Sequence, residues 1–410
     1  MKILYVASAI VAPGSHGGAT HVVEVSRELA KLGHEIHVIC ARPNRKEPAR
    51  LTLAVEGGTP IEFYRHSLPK FTAIALYPLV KKLAKALKPD LIMERYYNFA
   101  GSGMLFASRH HLPSLLEVNA LILDPLSSPK RRLDRTLLFN RLKWWSEKQC
   151  CWATRIITPL HTTIPAAIPR EKIIELPWGA NVDMFDPTRI EPTEQMRLRQ
   201  ELGIPEKANV LAFAGSFRHW HGVEVLVEAA KLAIPQDNNL YILMLGGGPL
   251  FEQIQNEVVD SGLTERVILT GAIPYQKMPL YLSLAHAGVA PFDTSKHAPL
   301  REAGFYWSPL KIFEYMALAL PSIVPDFRPL NEIIRQGQEG LLFREGDAND
   351  LARAILELLS PNNIIERECM GASARIRVVE SFSWRSHCAS LDAVMVASNR
   401  VFFDNIAAFC

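Results

Sequence analysis

The chain has 410 residues, more than one hydrophobic core usually supports, so two domains of roughly 200 residues each are expected. Hydrophobic residues make up 48% and charged residues 21%, a composition that excludes a disordered or fibrous chain. No apolar run reaches the roughly 18 residues that cross a bilayer, and residues 1–13 are interpreted as a first strand rather than a signal peptide.

The net charge of +3 hides an asymmetry between the two halves of the chain. Residues 1–180 hold 25 Lys and Arg against 14 Asp and Glu, a net charge of +11, and the remainder carries −8. This asymmetry indicates that the first half contacts an anionic partner, namely a membrane surface, a phosphorylated lipid or an acidic glycan. No nucleic-acid-binding motif accompanies the basic residues, so nucleic acid is not expected as a partner. The six cysteines show no metal-ligand spacing, which predicts no metal site and suits reduced thiols in the cytoplasm.

The first half alternates short apolar runs with amphipathic segments. Residues 2–9 form an apolar run, residues 19–32 carry apolar side chains at helical spacing, and Gly33 follows as a C-cap. With the apolar run 35–40, these segments predict a strand, a helix and a second, parallel strand. The pattern goes on with the predicted helix 79–87, strands 89–93 and 114–118, helix 132–153 and strand 155–158.

The second half begins the same alternation again after a Pro- and Gly-rich passage at residues 176–187. The predicted strands are 210–214, 240–245, 267–270, 288–290, 321–325 and 340–343, and the predicted helices are 223–232, 251–261, 311–319, 348–359 and 383–400. Alternating strands and helices predict an α/β protein with two Rossmann-like, doubly wound domains. We expect domains at 1–182 and 183–382, and a C-terminal helix at 383–410 that packs back on the first domain.

In such sheets, ligands bind beyond the carboxyl ends of the strands, where loops that enter helices favour phosphate. Three loops fit this description. Loop 14–20 is glycine-rich but lacks G-x-G-x-x-G spacing, and no acidic residue follows the second strand, which disfavours a dehydrogenase. A tight turn without function remains the alternative for this loop.

Loop 215–222 has a glycine at each end, with one guanidinium and two imidazoles between them. Arg218 can bind phosphate oxygens in a bidentate manner. Isolated cations are usually solvated surface groups, but this cluster follows a strand and precedes a helix, which favours function.

The third loop enters the predicted helix 311–319. Ser308 is the expected N-cap and Pro309 the first helical residue. Lys311 and Glu314 share one helix face, so an exposed ion pair is the alternative interpretation. Glu314 lies among apolar neighbours, however, and ribose hydroxyls would give a half-buried carboxylate the partners it needs.

With these residues in view, the chain resembles the family 4 glycosyltransferases of the GT-B fold over nearly its whole length. The motifs that carry the resemblance are Gly17-Gly18, residues 33–35, 177–179, 215–222, 246–249, 308–317, 340–343 and 346–347. The resemblance implies two domains facing a cleft, and metal-independent, retaining transfer from a UDP-, GDP- or ADP-sugar. It also implies that the second half binds the nucleotide, the first half binds a glycan or lipid-linked acceptor, and the product belongs to polysaccharide biosynthesis.

The resemblance further implies roles for individual residues. Glu314 would bind the ribose, and Ala272 and Ile273 would contact the nucleotide base. The expected diphosphate-binding residues are Gly17, Gly18, Gly215, Ser216, His221, Ser308 and Leu310. The expected catalytic residues are Arg218, Lys311 and Asn119. No metal ligand and no cofactor beyond the donor sugar nucleotide are expected.

Some positions depart from the family pattern. Ser216 and His221 stand where the family often has Arg and Lys, so Arg218, a protonated His221 and Lys311 would have to neutralise the diphosphate. Tyr306 stands where the family often has a glutamate that contacts the transferred sugar. Asn119 stands near the expected place of a histidine in the first domain.

Residues 130–145 combine six Lys and Arg with leucines, one phenylalanine and two tryptophans. Such a segment could lie on an anionic membrane, which would place a cytoplasmic protein peripherally at the inner face of the membrane. The alternative is a helix with a solvated basic face. Two other functions also stay open: a nucleotide-sugar 2-epimerase of the same fold, and a non-catalytic sugar-nucleotide-binding partner subunit.

Overall fold

The computed structural model describes residues 1–14, 17–125 and 128–407. The chain divides into two compact units. The first unit comprises Met1–Trp178, Tyr306–Ser308 and Trp384–Cys410, and the second comprises Gly179–Phe305 and Pro309–Ser383. The domain limits expected from the sequence stay a prediction.

The first unit is built on one eight-stranded sheet. Its strands are β1 (Lys2–Val11), β2 (Glu35–Ala41), β3 (Arg50–Leu53), β4 (Ile61–His66), β5 (Leu91–Arg95), β6 (Ser114–Glu117), β7 (Arg155–Thr158) and β8 (Ile173–Glu175). They lie in the order β3-β4-β2-β1-β5-β6-β7-β8, and every pair is parallel except β3 with β4. Residues 3–7 of β1 are all buried, because helices cover both faces of a parallel sheet.

Helices flank this sheet as the periodicity predicts. They are α1 (Gly17–Lys31), α2 (Tyr77–Leu87), α3 (Ser102–Arg109), α4 (Pro129–Thr136) and α5 (Arg141–Trp152). Helix α1 buries Val22, Val25 and Leu29 along one face. It ends at Gly33, whose φ of 86° is left-handed, so the predicted C-cap is confirmed.

The expected single helix 132–153 is wrong, since α4 and α5 are separate helices. Phe139 and Asn140 between them have left-handed φ values of 50° and 60°. The carboxylate of Asp134 accepts hydrogen bonds from the backbone N–H groups of Leu142 (2.9 Å) and Lys143 (3.1 Å). A continuous helix would pair those N–H groups with carbonyls one turn earlier, so the carboxylate replaces them and starts a new helix.

The second unit has a six-stranded sheet that is parallel throughout. Its strands are β9 (Asn209–Ala214), β10 (Leu240–Leu245), β11 (Val267–Gly271), β12 (Ala287–Val289), β13 (Ser322–Pro325) and β14 (Gly340–Phe343). They lie in the order β11-β10-β9-β12-β13-β14. Neighbouring strands end in register, with Ala214 beside Leu245 and Leu245 beside Gly271. The loops after β9, β10 and β11 therefore leave the sheet at one edge.

The helices of the second unit cover both faces of this sheet. They are α6 (Pro192–Glu201), α7 (Val223–Ala233), α8 (Phe251–Asp260), α9 (Met278–Leu282), α10 (Ala298–Ala303), α11 (Leu310–Ala317), α12 (Leu330–Ile333), α13 (Ala348–Leu359) and α14 (Ile364–Ser381). The final helix, α15 (Trp384–Ala407), belongs to the first unit and packs against α1. The predicted fold class of two Rossmann-like domains is confirmed, whereas the cleft between them stays a prediction.

No helix in the part of the chain that the structure describes is both long enough and apolar enough to cross a membrane. No group of three or more His, Cys, Asp and Glu side chains among these described residues could hold a metal ion.

Gly222 is required by two independent constraints. Its φ is 69°, and a Cβ atom built there would lie 1.6 Å from the carbonyl oxygen of Pro291. Gly203 has a similar φ of 66° but open space around its Cα. We expect Gly203→Ala to cost about 1–2 kcal/mol of unfolding free energy, the ordinary price of a left-handed residue.

Gly222→Ala should cost several-fold more, because the backbone of loop 290–297 must move to admit the methyl group. Chemical denaturation of both variants measures this difference. Equal losses of stability would show that loops 215–222 and 290–297 are not packed as described.

Candidate active site

The glycine-rich loops of the second unit stack on one another at the carboxyl edge of its sheet. A Cβ atom on Gly246 would lie 1.9 Å from the carbonyl oxygen of Gly215, and one on Gly248 would lie 2.8 Å from the backbone nitrogen of Phe217. The N–H of Phe217 also donates to the carbonyl of Gly247 (3.0 Å). Loop 215–222 thus rests directly on the loop that follows β10, and Ser216 lies within this contact.

Lys311 lies at the centre of this loop cluster. It is the second residue of α11 and is buried, and its ammonium group lies over the rings of Phe213 (4.2 Å) and Phe292 (4.8 Å). Its Nζ has no hydrogen-bond partner among the described residues. A Cβ atom on Gly215 would lie 2.7 Å from this Nζ, so the absence of a side chain at Gly215 leaves room beside the amine.

Burial lowers the pKa of Lys311 to about 7, because the charged amine loses its water, although Glu314 partly offsets this loss. The two aromatic faces also attract the charged form. Lys311 is therefore poised to hold a proton as soon as an anion reaches it. The alternative of an exposed ion pair between Lys311 and Glu314 is wrong, since both side chains are buried.

His221 lies beside Lys311 but does not supply a second cation. Burial, together with the neighbouring charges of Lys311 and Arg218, lowers its pKa to about 2. His221 is therefore neutral in the empty protein, and its protonation beside a bound diphosphate stays a prediction. Its Nδ1 is buried and has no hydrogen-bond partner in the described part of the chain.

Arg218 takes a different position from the buried pair. Its side chain is exposed, and its guanidinium lies 5.1 Å from the ring centre of Trp220. The long side chain can turn toward an anion at the loop, and in the empty protein a cation–π contact with Trp220 keeps it near the loop.

Glu314 is held by the loop that follows β11. Burial raises the pKa of its carboxyl to about 7, against the opposing effects of a hydrogen bond from Tyr275 and the charge of Lys311. Tyr275 comes two residues after Ile273, the second expected contact of the nucleotide base. Ala272 is exposed, and its backbone nitrogen lies 3.9 Å from where a Cβ on Gly247 would be. The predicted ribose and base positions therefore belong to one connected part of the second unit.

The start of α11 differs from the prediction. The N-cap is Pro309 rather than Ser308, and no described side chain caps this end of the helix. Ser308 instead groups with the first unit, where its hydroxyl accepts a hydrogen bond from the backbone N–H of Trp178 (2.9 Å). Leu310 is the first helical residue, so backbone N–H groups at this end remain available to an anion.

The remaining predicted site residues belong to the first unit. Gly17 and Gly18 are the first two residues of α1, at its positive end. Asn119 follows β6, and its Oδ1 accepts a hydrogen bond from the indole nitrogen of Trp178 (2.6 Å). This bond leaves the amide nitrogen of Asn119, which has no partner among the described residues, as a donor.

A buried charged cluster lies behind Asn119. Glu117 accepts hydrogen bonds from the hydroxyl of Tyr5 and from Nε2 of His21 (2.9 Å). Burial alone would raise the pKa of Glu117, but His21, Arg95 and Tyr5 together lower it to about 2. Burial lowers the pKa of His21, and the charge of Glu117 opposes this effect. Arg95 lies over the ring of Trp178 (5.2 Å), which joins this cluster to the partner of Asn119.

Tyr306, at the position where the resemblance implies a glutamate, is buried in the first unit. Burial and the nearby charge of Asp124 raise the pKa of Tyr306 to about 12, so it offers a neutral hydroxyl. It cannot supply the negative charge that a glutamate would.

Sequence reasoning missed the side chains that surround the predicted site. Phe213 and Phe292 form the ring faces below Lys311, Tyr275 holds Glu314, and Trp178 holds Asn119. Only Trp178 gave a signal, because it lies in the Pro-Trp-Gly motif. The aromatic residues of the second unit are not distinguishable in sequence from ordinary core residues.

Known protein families match both halves of the chain. The family described as "Glycosyltransferase Family 4" matches residues 15–166, and the family described as "Glycosyl transferases group 1" matches residues 194–377. The chain belongs to the family 4 glycosyltransferases. The two matched segments fall on the two halves that the charge asymmetry and the repeated alternation distinguish.

Two curated relatives illustrate the range of the similarity. A GDP-mannose-dependent alpha-(1-6)-phosphatidylinositol monomannoside mannosyltransferase of Mycolicibacterium smegmatis is 24% identical over 54% of the chain and 56% of the relative. A D-inositol 3-phosphate glycosyltransferase of Thermobispora bispora is 23% identical over 93% of the chain and 90% of the relative. The chain spans about half the length of most of the curated relatives that it matches.

Solved structures share the fold over the full length. Sucrose-phosphate synthase from Thermosynechococcus elongatus superposes with a TM-score of 0.72 at 18% identity, covering 99% of both chains. Anabaena HepE in complex with UDP superposes with a TM-score of 0.68 at 17% identity, covering 97% of this chain and 100% of HepE. These neighbours identify the two-domain architecture as the GT-B fold.

Because the amine of Lys311 is buried, we expect the free energy of unfolding to depend on pH. The pKa of Lys311 is about 7 in the folded chain and 10.5 when unperturbed, so between these values the unfolded chain holds the proton and the folded chain does not. The folded state therefore gains stability as pH rises from 7 to 10, by up to about 1.4 kcal/mol per pH unit.

Lys311→Met removes this dependence, so we expect the variant to be more stable than the wild type at pH 7 and to lose that advantage by pH 10. Thermal unfolding at both values measures the difference, with the exposed Lys207→Met as the matched control. A Lys311→Met variant that is less stable than the wild type at pH 7 would contradict the buried, unpartnered amine.

Proposed function

We propose that this chain transfers a sugar, with retention of configuration, from a nucleoside-diphosphate sugar to a hydroxyl of a glycan or lipid-linked acceptor. The observation that carries the proposal is the buried Lys311 amine beside Gly215, without a hydrogen-bond partner among the described residues. Burying an amine in this way costs free energy in the empty protein. A diphosphate supplies both the missing hydrogen bonds and the opposite charge.

The second unit has several donors for a leaving diphosphate. Charge develops on the phosphate oxygen as the bond to the anomeric carbon breaks, and preorganised donors stabilise that charge. Lys311, the N–H of Leu310 and the open end of α7 after Gly222 are fixed, while Arg218 can swing in from Trp220. In this proposal these groups neutralise the diphosphate, so that no metal ion or cofactor is needed.

Glu314 and the loop after β11 fit the nucleoside half of the donor. A carboxylate held by Tyr275 can accept hydrogen bonds from the two ribose hydroxyls. The segment with the exposed Ala272 and the half-buried Ile273 is then the proposed contact for the base.

The first unit supplies the acceptor side of the proposal. The acceptor oxygen attacks the anomeric carbon from the face that the diphosphate leaves, and its proton passes to a phosphate oxygen. One carbon–oxygen bond forms and one breaks, and the proposed step needs no covalent enzyme intermediate. The amide nitrogen of Asn119, held by Trp178, would donate a hydrogen bond to a sugar hydroxyl.

The relatives support the same reaction class. The Mycolicibacterium relative is named for transfer of mannose to a phosphatidylinositol mannoside, and HepE binds UDP and UDP-glucose. A sugar nucleotide as donor and a lipid-linked glycan as acceptor follow from these names as proposals for this chain. Five described cysteines are free, which supports work in the reducing cytoplasm. The comparisons do not favour an epimerase or a non-catalytic subunit.

A thermal-shift screen against UDP-, GDP- and ADP-sugars in EDTA tests the donor site, because a ligand that binds only the native state raises the melting temperature. We expect one nucleotide to give a clear shift and Lys311→Met to lose it. If the protein is folded and none of these sugar nucleotides raises its melting temperature, the proposal is contradicted. A shift without sugar transfer or donor hydrolysis would identify a binding subunit instead.

Arg218→Ala is expected to lower kcat by about 100- to 1000-fold, the range found when one donor to a developing oxyanion is removed. The matched control is Arg197→Ala, an exposed arginine on α6 that should leave turnover unchanged. Unchanged turnover in Arg218→Ala would show that this arginine does not reach the diphosphate.

Donor binding is also expected to take up a proton above pH 7. The pKa of Lys311 is about 7 in the empty protein, and a bound diphosphate raises it toward its ordinary value. Affinity should therefore fall as pH rises from 7 to 9, by up to about tenfold per unit.

Calorimetry in two buffers of different ionisation enthalpy measures this proton uptake. Glu314 and His221 are the titratable groups that interact with the amine, so Lys311→Met is the variant that isolates the contribution of the amine. Proton uptake that persists in Lys311→Met would assign the effect to one of those neighbours.

A further inference from the structure

The helices α4 and α5, with the turn 137–140 between them, form a hairpin on the first unit that exposes large apolar side chains. The exposed fractions are 80% for Phe139, 67% for Leu137 and 55% for Trp144. Leu133 and Leu138 are exposed as well, and every residue from Arg135 to Arg141 is exposed. Single exposed apolar residues are ordinary, but a contiguous group of this kind marks a contact surface.

The turn is built to hold Phe139 outward. A bulky side chain rarely adopts the left-handed backbone that Phe139 has, with its φ of 50°. The turn is fixed from within, since Asp134 holds the start of α5 and Arg131 donates to both Asp134 (2.7 Å) and Asn140 (3.0 Å). The apolar tip is therefore preorganised by polar contacts centred on the buried Asp134.

The hairpin is also anchored to the body of the first unit. The indole nitrogen of Trp145 donates to the carbonyl of Ala100 (2.7 Å), and Trp145 packs edge-on against Trp152. The adjacent Trp144 points the other way and is exposed. One tryptophan thus holds the hairpin in place while its neighbour is presented to the surroundings.

The charge around the apolar tip is positive. Arg132, Arg135 and Arg141 are exposed, and none of them forms an ion pair within the part of the chain that the structure describes. The acidic groups of the hairpin are already engaged, because Asp134 is buried in the turn and Glu147 pairs with Lys143 (3.7 Å).

We propose that this hairpin docks the protein on a bilayer that contains anionic lipid. Leu137, Phe139 and Trp144 enter the boundary between headgroups and acyl chains, and the three arginines contact the headgroups. A second copy of the chain is a poorer occupant, since a two-fold contact would bring two equally positive surfaces together. The proposal goes beyond sugar transfer and does not depend on it.

Vesicle co-sedimentation of the full-length protein tests the docking surface. We expect binding to vesicles of phosphatidylcholine mixed with phosphatidylglycerol, little binding to phosphatidylcholine alone, and weaker binding as salt rises. Phe139→Asp should lower the partition coefficient by about tenfold or more, while Phe139→Leu retains most of the binding. Because position 139 is exposed, neither change should affect the melting temperature.

Two control variants separate the hairpin from general properties of the surface. Replacing Lys81, Lys82 and Lys85 of α2 by Gln removes three exposed positive charges elsewhere on the first unit. This number equals that of the exposed arginines in the hairpin. Ile365→Asp places the same acid at an exposed apolar position of the second unit. Both should bind vesicles nearly as the wild type does.

Equal vesicle binding by the wild type and Phe139→Asp would overturn the proposal, as would an equal loss in the α2 variant. A concentration-dependent dimer that Phe139→Asp abolishes, without vesicle binding by the wild type, would assign the surface to a second copy instead. The nucleotide-sugar thermal shift should be the same in Phe139→Asp, so failure of the docking surface and failure of the donor site are distinguishable.

Discussion

The candidate donor site depends on the burial of one amine. Lys311 can lie between the rings of Phe213 and Phe292 only because Gly215 has no side chain to fill the space next to its Nζ. Burial of Nζ without a hydrogen-bond partner in the described ranges of the chain makes this position costly for the empty protein. The surrounding fold must therefore stabilise α11 well enough to hold the lysine there, and the same cost favours any anion that completes its contacts.

The parallel sheet of the second unit makes that arrangement possible. Since β9, β10 and β11 end at one edge, three loops leave the sheet next to one another. They can approach at backbone distance only through glycines, as the contact of Gly246 with the carbonyl of Gly215 demonstrates. The stacked loops bring Tyr275 to Glu314 and Lys311 to Gly215, although these residues are far apart along the chain.

The parts of this site that could be predicted from the sequence are those with a local signal. Gly215 marks the end of a strand, and Gly222 marks the start of a helix. The order of elements in both halves follows from the periodicity of the apolar residues. The predictions that were wrong depended on tertiary contacts. The sequence predicts Ser308 as an N-cap, but its hydroxyl accepts a hydrogen bond from the backbone N–H of Trp178 instead. The sequence also predicts one helix over 132–153, but the carboxylate of Asp134 binds the first N–H groups of a second helix. The aromatic partners of Lys311 carry no signal beyond ordinary hydrophobicity.

The position of Lys311 also explains why a histidine is acceptable at 221. Lys311 Nζ and His221 Nδ1 lie against the same glycine, so a second buried cation there would repel the first in the empty site. A neutral imidazole avoids that repulsion, and the lowered pKa of His221 reflects both its burial and the charge of Lys311. When an anion binds, the imidazole can gain a proton or turn a ring N–H toward a phosphate oxygen. The positive charge that an anion can meet beside the loop is therefore carried by Lys311 of α11, while His221 adds none in the empty protein.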